Sequence, residues 1–411
     1  MTNKTLFAYI LLALPLAFIG LPIYIYLPQF YSENFTISLQ EIALILLITR
    51  LFDALLDPAI GILSDKFAKF RNKIIAFSCP FLGLAILSLF SPPSFLSVKA
   101  ALTISLFLTY SLFSLIWINH QALAVSFTKD YNLKTRIISY REGFFIIGII
   151  FASLLPPLLE SFFSPKESFE IIGFGYFFLI CFCAAIFYKF VKYQPNTDKQ
   201  NPTNIGQIFS KKLTHFFAIF FLNAIASSIP ASLITFYVSQ VLNLESKTGL
   251  FLILYFTGLI LGIIFWTKLS QKFKVKAKIW LISSILTVII FPFCFFLSEN
   301  DLLFYALICL LSGFGFAGDF CLSYSVLTDI IGEEKLFDKE STIFSITNFL
   351  VKISFTISSV ILVYAIGTIR DQGSLEQERQ FLSYSYALLP CLFKISSCVF
   401  LFNFCKKYEK F

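Results

Sequence analysis

The run EIALILLITRLFDALLDPAIGILSD, Glu41–Asp65, is apolar enough to cross a bilayer, yet it carries Arg50, Asp53 and Asp57 near its middle. Each charge held at bilayer depth costs roughly 3 kcal/mol or more, so three of them in one span need a use. A helix turns about 100° per residue, which puts positions 50, 53 and 57 within about 60° of one another on one face. Two carboxylates at i and i+4 repel, so Asp53 and Asp57 require a cation beside them, and Arg50 supplies part of it. A carboxylate pair this close favours sharing a proton. That chemistry holds and releases a cation; it does not make or break covalent bonds. Pro58, directly after Asp57, removes a backbone donor and can bend the helix there.

Other charged and aromatic residues interrupt apolar runs: Trp117 and Asn119 in WINHQ, Arg141 and Glu142 in YREGFF, Asp319 in GFGFAGDF, Lys352 in NFLVKISF and Lys394 in LLPCLFKISSCVF. Arg141 can anchor an anionic or polyhydroxyl solute by its planar fork, or it is an ion pair snorkelling to water. Trp117 can stack on a sugar face, although an aromatic on a helix more often packs. Asp319 reads as a lone carboxylate at depth and so as a functional candidate, while Gly313, Gly315 and Gly318 around it read as close helix packing. Lys394 lines a cavity or holds structure. The two histidines, His120 and His215, read as hydrogen-bonded or interfacial residues before proton relays. The nine cysteines show no ligand spacing and read as small hydrophobes, and no metal-ligand cluster is expected. No phosphate-binding loop, zinc-protease motif or nucleophile elbow is present, so enzyme chemistry is not expected.

The elements that must position these residues are membrane helices. Hydrophobic residues make up 57% of the 411-residue chain and charged residues only 14%, and mean hydropathy is +0.81. Soluble domains run near 45–50% apolar and about 25% charged. Runs of about 20 apolar residues, one membrane span each, recur at 7–29, 40–62, 74–92, 99–122, 138–159, 170–190, 213–240, 248–267, 279–298, 302–327, 341–367 and 380–404. The expected fold is an all-α membrane protein of twelve transmembrane helices in two six-helix halves, 1–191 and 213–411, joined by a polar linker at 192–212. Phe, at 54 residues, reads as lipid-facing bulk.

Lys and Arg set the orientation. With the N-terminus cytoplasmic, the cytoplasmic segments hold 23 of the 32 and the outer loops 5, a marked positive-inside bias. Both termini are then cytoplasmic and the net charge of +8 belongs to the membrane surface, with no nucleic acid implied. The first apolar run is too long for a signal peptide and lacks a cleavage site, so it reads as a retained span. The basic loops GILSDKFAKFRNK (61–73) and GIIFWTKLSQKFKVKAK (262–278) echo one another between the second and third helix of each half, as in transporters built from repeated halves.

Twelve helices in two halves, with that basic loop after span two, resemble the major facilitator superfamily. More narrowly, RLFDALLDPAIGILSD resembles the helix-two signature of the glycoside–pentoside–hexuronide:cation symporters, the family of the melibiose permease. The stretches 117–143, 313–330 and STIFSITNFLVKISF (341–355) agree. The resemblance implies that Asp53 and Asp57 bind the coupling cation, that Arg50 and the helix-eleven Lys352 are their counter-charges, and that Arg141 lies near the substrate. It also shows departures. Leu56 stands where sodium-using members often have an asparagine. Trp117 and Leu16 stand where two sugar-binding aspartates would be.

The sequence therefore implies a monomeric secondary transporter of the inner membrane, multi-pass in the lipid bilayer, coupling a small polar solute to a cation by alternating access. The solute is by resemblance a sugar or glycoside. H⁺ is favoured over Na⁺, though Na⁺ at Asp53 and Asp57 stays open, and no cofactor is expected. The coupling set is Asp53, Asp57, Arg50 and Lys352; the substrate set is Arg141, Trp117, Asn119 and Asp319. A transporter of lysolipids or other amphiphiles, and a non-transporting membrane sensor, are the competing readings.

Overall fold

Serine or aspartate side chains cap the first turn of five of the helices, and an apolar run carries each one onward. In the computed structural model, which describes residues 2–19, 21–35, 37–128, 130–192, 205–372 and 375–409, every long element is a helix. The first apolar run is broken into α1 (Asn3–Leu11), α2 (Ala13–Leu16), a 3₁₀ turn (Ala17–Ile19) and α3 (Leu21–Asn34). The expectation was one continuous span. Pro15 and Pro22 explain the breaks, since proline removes an i→i−4 bond and clashes with the preceding turn.

Helix α4 (Leu39–Lys66) begins at a capping box, in which Ser38 accepts from the Glu41 N–H and the Glu41 carboxylate accepts from the Ser38 N–H. Then follow α5 (Arg71–Phe90), α6 (Val98–Ser126, capped by Ser97), α7 (Tyr131–Glu160, capped by Asp130) and α8 (Pro165–Phe190). Ser164 and Glu167 form a second capping box at α8. The rest are α9 (Lys211–Phe236), α10 (Thr248–Phe273), α11 (Lys276–Ile290), α12 (Leu302–Glu333), α13 (Glu340–Gln372), α14 (Leu375–Ser383) and α15 (Leu389–Tyr408). Two π-helical turns extend α9 at Tyr237–Val241 and join α14 to α15 at Tyr384–Leu388.

Ten helices among the described residues are long and apolar enough to cross a membrane. Neither α4, with its charges, nor the broken α1–α3 region is among them. Of the expected linker, residues 193–204 lie outside the described residues.

The chain divides into two compact units. The first comprises Met1–Thr203 with Lys335–Phe349, and the second Asn204–Glu334 with Leu350–Phe411. In the first, α5 packs on α6 and α8, and α4 on α6; in the second, α12 packs on α10 and α11, and α9 on α15. Phe77, Phe81, Phe178 and Phe182 present their rings outward, as lipid requires, but Phe187, Phe216 and Phe251 are fully buried, so phenylalanine fills the core as well.

The start of α13 counts with the first unit because polar groups hold it there. Asp65 accepts from the Ser341 and Thr342 backbone N–H groups at 2.8 and 2.9 Å and from Thr342 Oγ1 at 2.6 Å. These satisfy donors that a helix N-terminus leaves open. Arg71, wholly buried, donates to Glu340 at 2.7 Å, to Ser341 Oγ at 2.9 Å and to Asp65 at 3.3 Å. A Cβ on Gly61 would lie 2.2 Å from Ser345 Oγ, so only glycine permits this approach.

Candidate functional site

Within the first unit, α4 turns its charged face toward α6. Asp53 and Asp57 are both buried, Asp57 completely. Ser114 Oγ donates to Asp53 Oδ1 at 2.9 Å. One helical turn earlier on α6, the ring of Tyr110 lies 5.9 Å from the Arg50 guanidinium, within cation–π reach. Helix α6 thus meets the face that the 50, 53, 57 spacing defines. Lys352 stands on α13, half-buried, in the part of that helix belonging to the second unit.

A second polar group gathers around Arg141 on α7. The guanidinium is fully buried; Nε donates to Glu142 Oε1 at 3.0 Å, and Nη2 pairs with the same oxygen. Nη1 donates to Tyr9 Oη of α1 at 3.3 Å, and the Trp117 ring of α6 lies 5.4 Å from the charge. Tyr9 and His120 are locked together: Tyr9 Oη donates to the His120 carbonyl at 2.9 Å, and His120 Nε2 donates back to the Tyr9 carbonyl at 2.9 Å. Their rings stack at 4.2 Å. His120 Nδ1, left as an acceptor, has no hydrogen-bond partner among the described residues.

Three consecutive residues of α6 reach three different helices, as a 100° turn per residue dictates. Asn119 Nδ2 donates to Ser64 Oγ of α4 at 2.8 Å, His120 bonds α1, and Gln121 Oε1 accepts from Asn348 of α13 at 3.0 Å. Asn119, expected to face substrate, spends its amide donor on α4 and on its own helix.

In the second unit Asp319 has a partner that the sequence reading lacked. Lys394 of α15 pairs with Asp319 Oδ2, while Trp280 Nε1 and Ser284 Oγ of α11 donate to Oδ1 at 2.6 and 3.0 Å. The carboxylate is not alone at depth. The glycines beside it do pack closely: a Cβ on Gly313 would lie 2.1 Å from the Tyr255 carbonyl oxygen, and one on Gly318 would lie 1.8 Å from Ser283 Oγ.

Buried carboxylates, arginines and a lysine inside an all-helical membrane protein describe a carrier, and the sequence as a whole agrees. The profile described as MFS/sugar transport protein matches residues 8–405. The chain belongs to that family. It is a multi-pass member of a family of membrane transporters rather than enzymes. The "Uncharacterized symporter YnaJ" of Bacillus subtilis is 29% identical over 239 residues, 52% of this chain and 51% of that protein, so the chain spans about half the length of this relative. The "Putative sulfoquinovose importer" of Escherichia coli K12 is 24% identical over 397 residues, 90% of this chain and 84% of that protein. The crystal structure of the E. coli fucose:proton symporter superposes with a TM-score of 0.72, covering 97% of this chain and 98% of that one at 16% identity, which shows a shared fold.

For a major facilitator transporter, the residues that sequence reasoning missed are the neutral ones. Tyr110 and Ser114 serve the α4 charges, and Tyr9 serves Arg141. The i, i+4 spacing of two hydroxyl residues in the apolar α6 was the available signal. Tyr9 had none, because a tyrosine near the end of a span reads as an interfacial residue.

Proposed function

We propose that the chain is a proton-coupled secondary transporter of a small polar solute of the sugar or glycoside class, working by alternating access. Asp53 and Asp57 carry the coupling proton, with Arg50 and, by resemblance, Lys352 as balancing cations. The observation that carries this reading is the buried Asp53–Ser114 bond beside wholly buried Asp57 on one face of α4. Leu56 in place of an amide favours H⁺ over Na⁺, which needs several oxygen ligands. The substrate side lies around Arg141 and Trp117, where a fully buried guanidinium meets an indole face. The sugar class is supported by the family description and by the substrates named for the sulfoquinovose and fucose proteins. The protein works as a monomer in the inner membrane, with twelve spans in two six-helix halves, a cytoplasmic linker at 192–212 and both termini cytoplasmic, and it needs no cofactor.

The test is uphill accumulation in vesicles together with pH recording over a panel of sugars, glycosides and sulfonated sugars. Wild-type uptake should alkalinise the medium. Asp57→Asn should abolish accumulation while downhill exchange continues. Sodium-dependent uptake without proton movement overturns the choice of ion, and accumulation unaffected by both Asp53→Asn and Asp57→Asn overturns the site.

A further inference from the structure

Four helices of the second unit meet at one buried ion pair. Asp319 of α12 and Lys394 of α15 are 7% and 5% exposed, and the lysine ammonium also donates to Asn223 Oδ1 of α9 at 2.7 Å. Trp280 and Ser284 of α11 fill the other carboxylate oxygen. Ser284 and Trp280 reach it because α11 and α12 touch at glycine, Gly315 against Thr287 and Gly318 against Ser283. The ammonium therefore sits between a carboxylate oxygen and an amide oxygen. These are hard oxygen donors of the kind that hold inorganic cations, and a neutral hydroxyl, Ser284, lies against the same carboxylate.

We propose that Lys394 is a fixed internal cation, seated by its own chain in an oxygen-lined cation site made by Asp319 and Asn223. Removing the side chain opens that site to a small monovalent cation from solution. The wild-type site has no need of one. Taken with the transport reading, on which it rests in this one respect, the assignment leaves exchange of the coupling ion to the Asp53/Asp57 pair. Breaking a buried pair from one side leaves an uncompensated charge and is strongly destabilising, whereas removing both charges is far better tolerated.

The experiment reads thermal unfolding of purified full-length protein, so it stands apart from any transport assay. In choline chloride, Lys394→Ala should lose roughly 5–10 °C of Tm relative to wild type. At equal ionic strength, sodium, lithium, methylammonium or propylammonium chloride should restore at least half of that loss in the variant and leave wild type unchanged. The double variant Asp319→Ala with Lys394→Ala should unfold above Lys394→Ala in choline and ignore all of these cations. Should Lys394→Ala fail to fold at all, recovery of folded protein in the double variant still supports the assignment, and failure of the double variant to the same degree overturns it in favour of packing. A Lys394→Ala variant as stable as wild type, or one deaf to every cation, overturns it. So does a sodium response of wild type that disappears in Asp319→Asn, since the native site would then be exchanging its cation. Loss of proton coupling in Asp57→Asn, or its absence altogether, leaves these outcomes unchanged.

Discussion

Arg141 shows how a single side chain changes meaning once its neighbours are known. Its fork is occupied by Glu142 and Tyr9 and its face by Trp117, so it is neither an interfacial anchor nor a bare anion receptor. Removing it strands Glu142 as a buried charge, and Arg141→Ala should cost about 3–5 kcal/mol, visible as a lower Tm. Arg141→Met with Glu142→Gln should recover most of the stability and yet show no substrate-induced rise in Tm. A normal substrate response in that double variant would make the cluster purely structural. Ser114 invites a finer test. A hydrogen bond to a charged group contributes roughly 1.5–3 kcal/mol, so Ser114→Ala should move the pH of half-maximal uptake upward by about one unit or more. Ser111→Ala, three residues earlier on α6, should leave it unchanged; equal effects from the two would remove Ser114 from the coupling site.

At the scale of elements, glycine sets how closely helices approach. On α10, a Cβ at Gly258 would lie 2.0 Å from the Leu310 carbonyl oxygen of α12, and Gly313 of α12 repeats the contact against Tyr255. A backbone oxygen cannot rotate aside, so the helices would have to separate. Gly313→Val and Gly258→Val should each cost about 1–3 kcal/mol or more by overpacking, measured as Tm of the purified protein. Gly175→Ala on α8 meets nothing within 4 Å and should be neutral or stabilising by up to about 1 kcal/mol, the helix propensity difference. If all three behave alike, close approach is not what the glycines provide. The basic loop between α4 and α5 tells a similar story. Its charges report topology in the sequence, but Asp65 and Arg71 also grip the start of α13. Asp65→Ala should destabilise by roughly 1–3 kcal/mol, because Arg71 and two backbone N–H groups lose an acceptor.

For the molecule as a whole, the Lys/Arg asymmetry of 23 to 5 predicts which side each loop faces. Reporter fusions after residues 70, 200 and 275 should read cytoplasmic, and those after 35 and 300 external; a cytoplasmic reading at 300 would break the six-plus-six order. The helical membrane fold and the charged face of α4 were legible in the sequence, because both are local. Apolar length sets a span, serine and glutamate three apart set a cap, and a 3.6-residue period puts Arg50, Asp53 and Asp57 on one side. Breaks in the first run were legible in Pro15 and Pro22 but were read through. What the tertiary structure alone decided is partnership. Asp319 and Lys394 are 75 positions apart, and Arg71 and Glu340 are 269 apart. No periodicity links residues on different helices. A charge in an apolar run announces that it needs a partner, because lipid offers none, but which partner it finds depends on how the helices pack.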